Sequence, residues 1–247
     1  MRSGAVVLRE TRPTVRIAEI YESLQGEGLL AGTPSTFVRT SGCNLRCTWC
    51  DTPFTSWAPE GEEWPVARII ERVLAAGTGH AVITGGEPLL LTETVELCAA
   101  VREAGVHVTV ETAGTVLPGG RTVAADLMSI SPKLASSTPA ADTAGSWGPR
   151  HEAARRRDDV LRTLMQASPW QLKFVIDGEP DLAEALEWLA ALGLNTHDRR
   201  RVFFMPQGRS ATELEQTSRW LEAACRSHGV GFAPRHHIAW FGHARQT

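Results

Sequence analysis

The stretch Ser41-Gly42-Cys43-Asn44-Leu45-Arg46-Cys47-Thr48-Trp49-Cys50-Asp51-Thr52 places three cysteines within eight residues. Thiolates separated by three and then two residues can wrap one short loop around a metal centre, and thiolate is the donor that soft iron-sulfur centres take. A closed tetrahedral zinc site asks for a fourth Cys or His, and the nearest histidine along the chain is His80. A four-iron, four-sulfur cluster held by three cysteines keeps one iron open to a substrate or cofactor. A zinc knuckle, the alternative, would draw its fourth ligand from a remote segment. Cys98 and Cys225 fall in apolar helical patterns and read as buried structural thiols. Three crowded and two isolated cysteines do not form a disulfide framework.

The elements that must position this loop are legible as short apolar runs followed by turns and amphipathic segments. The runs are Ser35 to Thr40, His80 to Thr84, Val106 to Glu111, Leu127 to Ile130, Leu172 to Ile176 and Val202 to Met205. Helices are expected over Pro65 to Ala76, Thr92 to Ala104, His151 to Gln166, Asp181 to Leu192 and Ala211 to His228. Thr92 is placed to cap its helix, and Gly77, Gly105, Gly193 and Gly229 fall where a terminating glycine belongs. Alternation of strand and helix argues for βαβ units and a parallel sheet with right-handed crossovers, as a partial barrel or an open doubly wound sheet. Val15 to Leu24 alternates and adds a strand leading into Gln25-Gly26-Glu27-Gly28. Residues 135–157 read as a mobile loop running into a helix, with Arg155, Arg156 and Arg157 on a solvated face.

In such sheets, ligands collect at the carboxyl ends of the strands. The cysteine loop, Thr84-Gly85-Gly86-Glu87-Pro88, Glu111-Thr112, Ser131-Pro132-Lys133 and Met205-Pro206-Gln207-Gly208 all fall at such ends. The chain of 247 residues suits a single domain. With 43% hydrophobic and 21% charged residues, a net charge of -3 and a pI near 6.2, nothing favours nucleic acid or an anionic membrane as partner. A small molecule is the better expectation. No apolar run reaches the length of a membrane span, and the first residues lack a signal-peptide pattern, so a cytoplasmic setting is expected.

C-x3-C-x2-C at a strand end, followed by a Gly-Gly-Glu-Pro turn after the next strand, resembles the radical S-adenosylmethionine superfamily. Its fold is a partial parallel (β/α)6 barrel, here with a short N-terminal extension over residues 1–34. The flanking segments ESLQGEG, FVRTSGCNLRCTWCDT and SPK are similar to the 7-carboxy-7-deazaguanine synthase family, strongly from Glu19 to Lys133 and more faintly beyond. The resemblance implies a carbon-nitrogen lyase of 7-deazapurine (queuosine-type) biosynthesis. Its substrate is 6-carboxy-5,6,7,8-tetrahydropterin, its product 7-carboxy-7-deazaguanine, and ammonia is released. The hydrogen-abstracting species is a 5′-deoxyadenosyl radical from S-adenosylmethionine, with no protein radical or acid-base residue assigned. A reductant such as flavodoxin or ferredoxin, a magnesium ion and a homodimer are also implied.

By matching motif, the resemblance assigns Cys43, Cys47 and Cys50 to a 4Fe-4S cluster and Thr52 to magnesium. Leu24, Gln25, Gly26, Glu27, Arg39, Thr84 and His237 go to the pterin. Trp49, Cys50, Asp51, Gly86, Glu87, Ser131, Pro132, Lys133, Met205 and Gln207 go to S-adenosylmethionine. Taken singly, several have plainer readings. Arg39 and Lys133 could be solvated strand ends, Trp49 core, Thr52 a turn residue, and Glu87 a helix-dipole carboxylate rather than an acceptor for the cofactor ammonium. In the C-terminal segment 230–247, expected near substrate, His236, His237 and His243 could suggest a metal patch. Adjacent residues of a strand point to opposite faces, which argues against His236 and His237 sharing an ion. The rival enzymatic reading is a glycyl-radical activase, which shares the cluster and the turn. The non-enzymatic rival is a metal-binding interaction module.

Overall fold

Alternating β-branched runs become nine strands in the computed structural model, which describes residues 13–242 and 244–246. They are β1 (Thr14–Leu24), β2 (Pro34–Thr40), β3 (Glu62–Pro65), β4 (His80–Gly85), β5 (His107–Thr112), β6 (Leu127–Ile130), β7 (Trp170–Ile176), β8 (Val202–Pro206) and β9 (Gly231–Phe232). All belong to one sheet in the order β3-β1-β2-β4-β5-β6-β7-β8-β9. From β2 onward the neighbours run parallel, while β1 is antiparallel to both β2 and β3. The end strands β3 and β9 do not pair, so the sheet is the open, partial barrel expected from sequence.

The helices are α1 (Pro53–Ser56), α2 (Val66–Ala76), α3 (Thr94–Glu103), α4 (Ala141–Ala144), α5 (Trp147–Arg155), α6 (Asp158–Ala167), α7 (Glu179–Leu192), α8 (Ala211–His228) and α9 (His236–Phe241). The β5-to-β6 crossover carries only a 3-10 turn at Pro118–Gly120, because Gly114, Pro118, Gly119 and Gly120 leave no helical run. Residues 135–157, expected as a loop, form a 3-10 turn (Ala135–Ser137), α4 and α5. The single helix expected over His151 to Gln166 is broken at Arg156, which is extended, and Arg157, which is also non-helical. There Asp158 restarts the chain as α6, held by the Trp188 indole N–H at 2.8 Å. Arg155 is not solvated: it is buried against Glu152 and Glu184 at 2.7 and 2.6 Å. Thr92 does not cap α3, because its hydroxyl donates to the Glu93 carboxylate instead.

Strand alternation sorts the sheet into two faces. Val38, Ile83, Val110, Met128, Leu172, Phe174 and Phe204 pack outward with Leu97, Trp188 and Leu221 of the helices. Each such side chain contributes roughly 1.5–3 kcal/mol of transfer free energy. Their neighbours along the strands, Arg39, Thr84, Glu111, Ser129, Lys173 and Met205, face the interior and line a cavity. Charges placed there must be paired, since an isolated buried ion costs several kcal/mol.

Candidate functional site

At the carboxyl ends of the strands the interior opens into a cavity of about 280 Å³. The loop after β2 lines it with Cys43, Cys47, Trp49, Cys50, Asp51 and Thr52. The end of β1 and the loop after it add Leu24, Gln25, Gly26 and Glu27, and Arg39, Thr84, Gly86, Ser131, Lys133, Met205 and His237, also foreseen from sequence, line it as well.

The cysteine loop is held from two sides. Within the barrel, the Glu87 amide donates to the Gly42 carbonyl at 2.9 Å and the Gly42 amide to the Thr55 carbonyl at 2.8 Å. Gly86 packs so tightly here that a Cβ would overlap the Gly42 carbonyl and come within 2.8 Å of Cys43 Cβ. From outside, the segment after β6 reaches over: the Arg46 amide donates to His151 Nδ1 at 3.1 Å and the Thr48 amide to the Ser137 carbonyl at 2.9 Å. His151 is fully buried, with Nε2 2.9 Å from the Ser137 hydroxyl, which itself donates to the Leu134 carbonyl. Nδ1 must therefore accept and Nε2 donate, which needs a neutral ring, and burial lowers its pKa to about 4.

Opposite the cysteines lies a chain of charges of which sequence reading assigned Glu27 and Asp51 but missed Lys173, Glu111 and Arg235. Lys173 Nζ bridges Glu27 at 3.0 Å and Glu111 at 3.1 Å, and Glu111 also accepts from the Thr84 hydroxyl at 3.0 Å. Arg235 joins Glu27 at 3.1 Å to Asp51 at 2.6 Å. Burial alone would push the Glu27 carboxyl up, yet Lys173 and Arg235 outweigh it and hold it well below the usual carboxylate range. Burial likewise opposes the Lys173 charge, and Glu111 and Glu27 overcome it, so the amine stays protonated well above its ordinary range. Arg39 donates through Nε to Glu19 at 2.7 Å and through Nη2 to the Tyr21 hydroxyl at 2.6 Å.

Three residues assigned to cofactor do not line the cavity. Glu87 is buried, and its oxygens accept from Leu89 N, Ala113 N and the Thr112 hydroxyl at 3.1, 2.8 and 2.8 Å. Its carboxylate braces the turn after β4 instead of meeting an ammonium group. Pro132 is buried and Gln207 is tied by its backbone amide to the Ile176 carbonyl, both outside the lining. The strand argument for the histidines also fails, because His236 opens the helix α9. His236 stacks on Trp240, one turn away, while His237 Nδ1 lies 3.9 Å from Glu27 and its ring fills the space a Gly26 Cβ would take, at 2.5 Å. His243 lies outside the described residues. Arg245 pairs with Glu19 and Glu60 at 3.1 Å each, drawing Gly242 and Ala244 to the cavity.

The donor set discriminates between metals. Among the described residues no three His, Cys, Asp or Glu side chains converge as a single ion would require. Zinc would gather its sulfurs about 2.3 Å from one point, whereas a cluster spreads thiolates over separate irons. Cys43, Cys47 and Cys50 share one cavity, and thiols are the donors that an iron-sulfur cluster takes. Burial pushes the Cys43 thiol up to about 12 and the Cys47 thiol up to about 11, and a cationic metal centre would supply the charge that makes them thiolates. The Trp49 indole N–H is buried without a partner beside them, a donor left for a bound group to satisfy.

Residues 37–133 match the Radical SAM superfamily. A 7-carboxy-7-deazaguanine synthase of Rhodopirellula baltica is 42% identical over 240 residues, covering 97% of this chain and 91% of its own. One from Halobacterium salinarum is 42% identical over 243 residues, covering 95% and 93%. The chain belongs to the 7-carboxy-7-deazaguanine synthase family. As a member of it, this chain is a radical S-adenosylmethionine enzyme and no mere metal-binding module. The fold is shared with QueE from Escherichia coli, at a TM-score of 0.66 and 22% identity over 91% of this chain and 95% of that one. It extends to Streptococcus suis SuiB, solved with S-adenosylmethionine bound, at a TM-score of 0.52 and 13% identity over 80% and 47%. No helix among the described residues is long and apolar enough to cross a membrane.

Two of the missed residues, Lys173 and Tyr21, left a compositional trace. The chain has 25 basic side chains but only two lysines, Lys133 and Lys173, and one tyrosine, Tyr21; all three line the cavity.

Proposed function

We propose that this chain contracts 6-carboxy-5,6,7,8-tetrahydropterin to 7-carboxy-7-deazaguanine with release of ammonia, in 7-deazapurine biosynthesis. The observation that carries this reading is one cavity with three thiols on one side and two Lys173-bridged carboxylates, Glu27 and Glu111, on the other. Cys43, Cys47 and Cys50 would hold a four-iron, four-sulfur cluster, and Trp49, Asp51, Gly86, Ser131, Lys133 and Met205 would surround S-adenosylmethionine. The cluster, when bound, supplies the electron that cleaves the cofactor to its hydrogen-abstracting radical.

The protein's own residues orient the pterin and exclude water. Carboxylates only accept hydrogen bonds, so Glu27 and Glu111 suit the N–H-rich aminopyrimidinone edge of a pterin. Arg39, with Nε committed to Glu19, keeps Nη1 for the substrate carboxylate. Thr84 orients Glu111, and Leu24 and Gln25 flank the ring, the amide of Gln25 being fixed by Ser35 at 2.9 Å. His237, whose burial lowers its pKa despite Glu27, is a neutral donor or acceptor at the same edge. Thr52 Oγ1, which lines the cavity and accepts from Thr55 at 3.2 Å, is the candidate magnesium ligand beside a substrate oxygen. A flavodoxin or ferredoxin as reductant and a homodimer belong to the same reading.

Anaerobic incubation of reconstituted protein with reductant, S-adenosylmethionine and carboxytetrahydropterin is expected to give 7-carboxy-7-deazaguanine, identified by mass. Cofactor cleavage without that product would favour an activase instead.

A further inference from the structure

The guanidinium of Arg235 is 6% exposed, and each of its nitrogens meets a different loop. Nε donates to Glu27 in the loop after β1, at 3.1 Å; Nη2 donates to Asp51 in the cysteine loop, at 2.6 Å; Nη1 donates to the Gly208 carbonyl after β8, at 2.9 Å. Beyond Glu27 the chain of contacts continues through Lys173 to Glu111 and Thr84. One unbroken series of hydrogen-bonded side chains thus runs from the residue after Cys50 to the far side of the cavity. The proposed cofactor lies at one end of it and the proposed pterin at the other.

A planar guanidinium cannot turn toward one carboxylate without turning away from the others. Fixing Asp51 therefore fixes the fork, and the fork fixes Glu27. The backbone strengthens the link: the His236 amide donates to the Gly26 carbonyl at 2.9 Å, so the residue after Arg235 holds the same loop that Glu27 belongs to.

We propose that Arg235 is a positioning residue that couples the two ligand sites, so that S-adenosylmethionine bound at the cysteine loop orders Gln25 to Gly28 and tightens pterin binding. The proposal rests on the pterin reading of the cavity. Ordering one end of the series lowers the entropic cost of ordering the other, which gives positive, reciprocal cooperativity, about 5-fold or more on the usual scale of such couplings.

The test uses the anaerobically reconstituted holoenzyme without reductant, so that the cofactor is not cleaved, and 6-carboxypterin as probe. In the wild type, saturating S-adenosylmethionine should tighten 6-carboxypterin at least 5-fold and slow amide exchange across Gln25 to Gly28. In Arg235→Gln both effects should vanish while iron content and affinity for S-adenosylmethionine alone change less than twofold; Arg235→Lys, which lacks the fork, should behave alike. If Arg235→Gln loses its cluster, the double-mutant cycle of Glu27→Gln with Asp51→Asn decides: their effects on probe affinity should be non-additive. Coupling that persists in Arg235→Gln, additive effects in the cycle, or a wild type that binds the probe with no cofactor effect would overturn the inference. Failure of the wild type to bind 6-carboxypterin at all, with or without cofactor, would overturn the pterin reading and the coupling with it.

Discussion

On β7, Leu172, Phe174 and Ile176 face the helices while Lys173 faces the cavity, 3% exposed between two carboxylates. Removing its amine leaves two like charges that each lay within 3.1 Å of one nitrogen. Lys173→Met should therefore cost about 3–5 kcal/mol in denaturant unfolding, the usual price of an orphaned buried ion. It should also raise one of the two carboxyl pKa values toward neutrality. In the wild type Glu27 is ionised across the physiological range, so pterin affinity should be flat from pH 6 to 8. In the variant, protonation removes an acceptor, and affinity should fall as pH falls over that range. A second residue-scale outcome concerns Gly86: a methyl group there meets the Gly42 carbonyl, and Gly86→Ala should lower bound iron per chain measured after reconstitution. The cysteines were legible because their spacing is itself the chemistry. Lys173 and Arg235 were not, because a charge in an apolar strand or in a C-terminal tail has meaning only once the fold brings distant carboxylates to it.

At the scale of elements, the six central strands were legible because each is a short run rich in β-branched and apolar residues, set off by turns from the amphipathic segments that follow. β3 was not, since Glu62-Glu63-Trp64-Pro65 offers a charged edge with no apolar alternation. The break between α5 and α6 escaped notice because Arg155 to Asp159 contains no glycine or proline to end a helix, and only tertiary partners such as Trp188 mark it. That break lets α5 swing back over the cysteine loop and deliver His151 to the Arg46 amide. His151 titrates at 6.5 when unfolded and near 4 when folded. Its contribution to stability is therefore complete above pH 6.5 and lost as pH falls toward 4. Thermal unfolding of cluster-free protein should show a Tm that drops between pH 7 and pH 5. His151→Phe should have a lower Tm at pH 7, about 1–3 kcal/mol for the orphaned Arg46 amide, and a shallower decline. An unchanged decline would assign the pH dependence to other groups.

Across the whole molecule, the open barrel leaves two sheet edges, and both are short: four residues in β3, with two glutamates, and two in β9. Short, charged edges discourage strand addition by another chain. The surface meets solvent with arginine as its only basic side chain other than histidine, for both lysines are inside. Apart from the α-amino group, an amine-selective acylating reagent has therefore no target on the exterior. Lys173 is held protonated and buried, while Lys133 Nζ donates to the Ser131 hydroxyl and lies over the face of Trp49. Treatment with an N-hydroxysuccinimide ester should label one side chain, Lys133, and S-adenosylmethionine should shield it; labelling of Lys173, or none that the cofactor blocks, would contradict this. A general protein stain of amines thus becomes, for this chain, a reporter of a single site, and coupling it to a surface through lysine would block the cavity rather than anchor the outside.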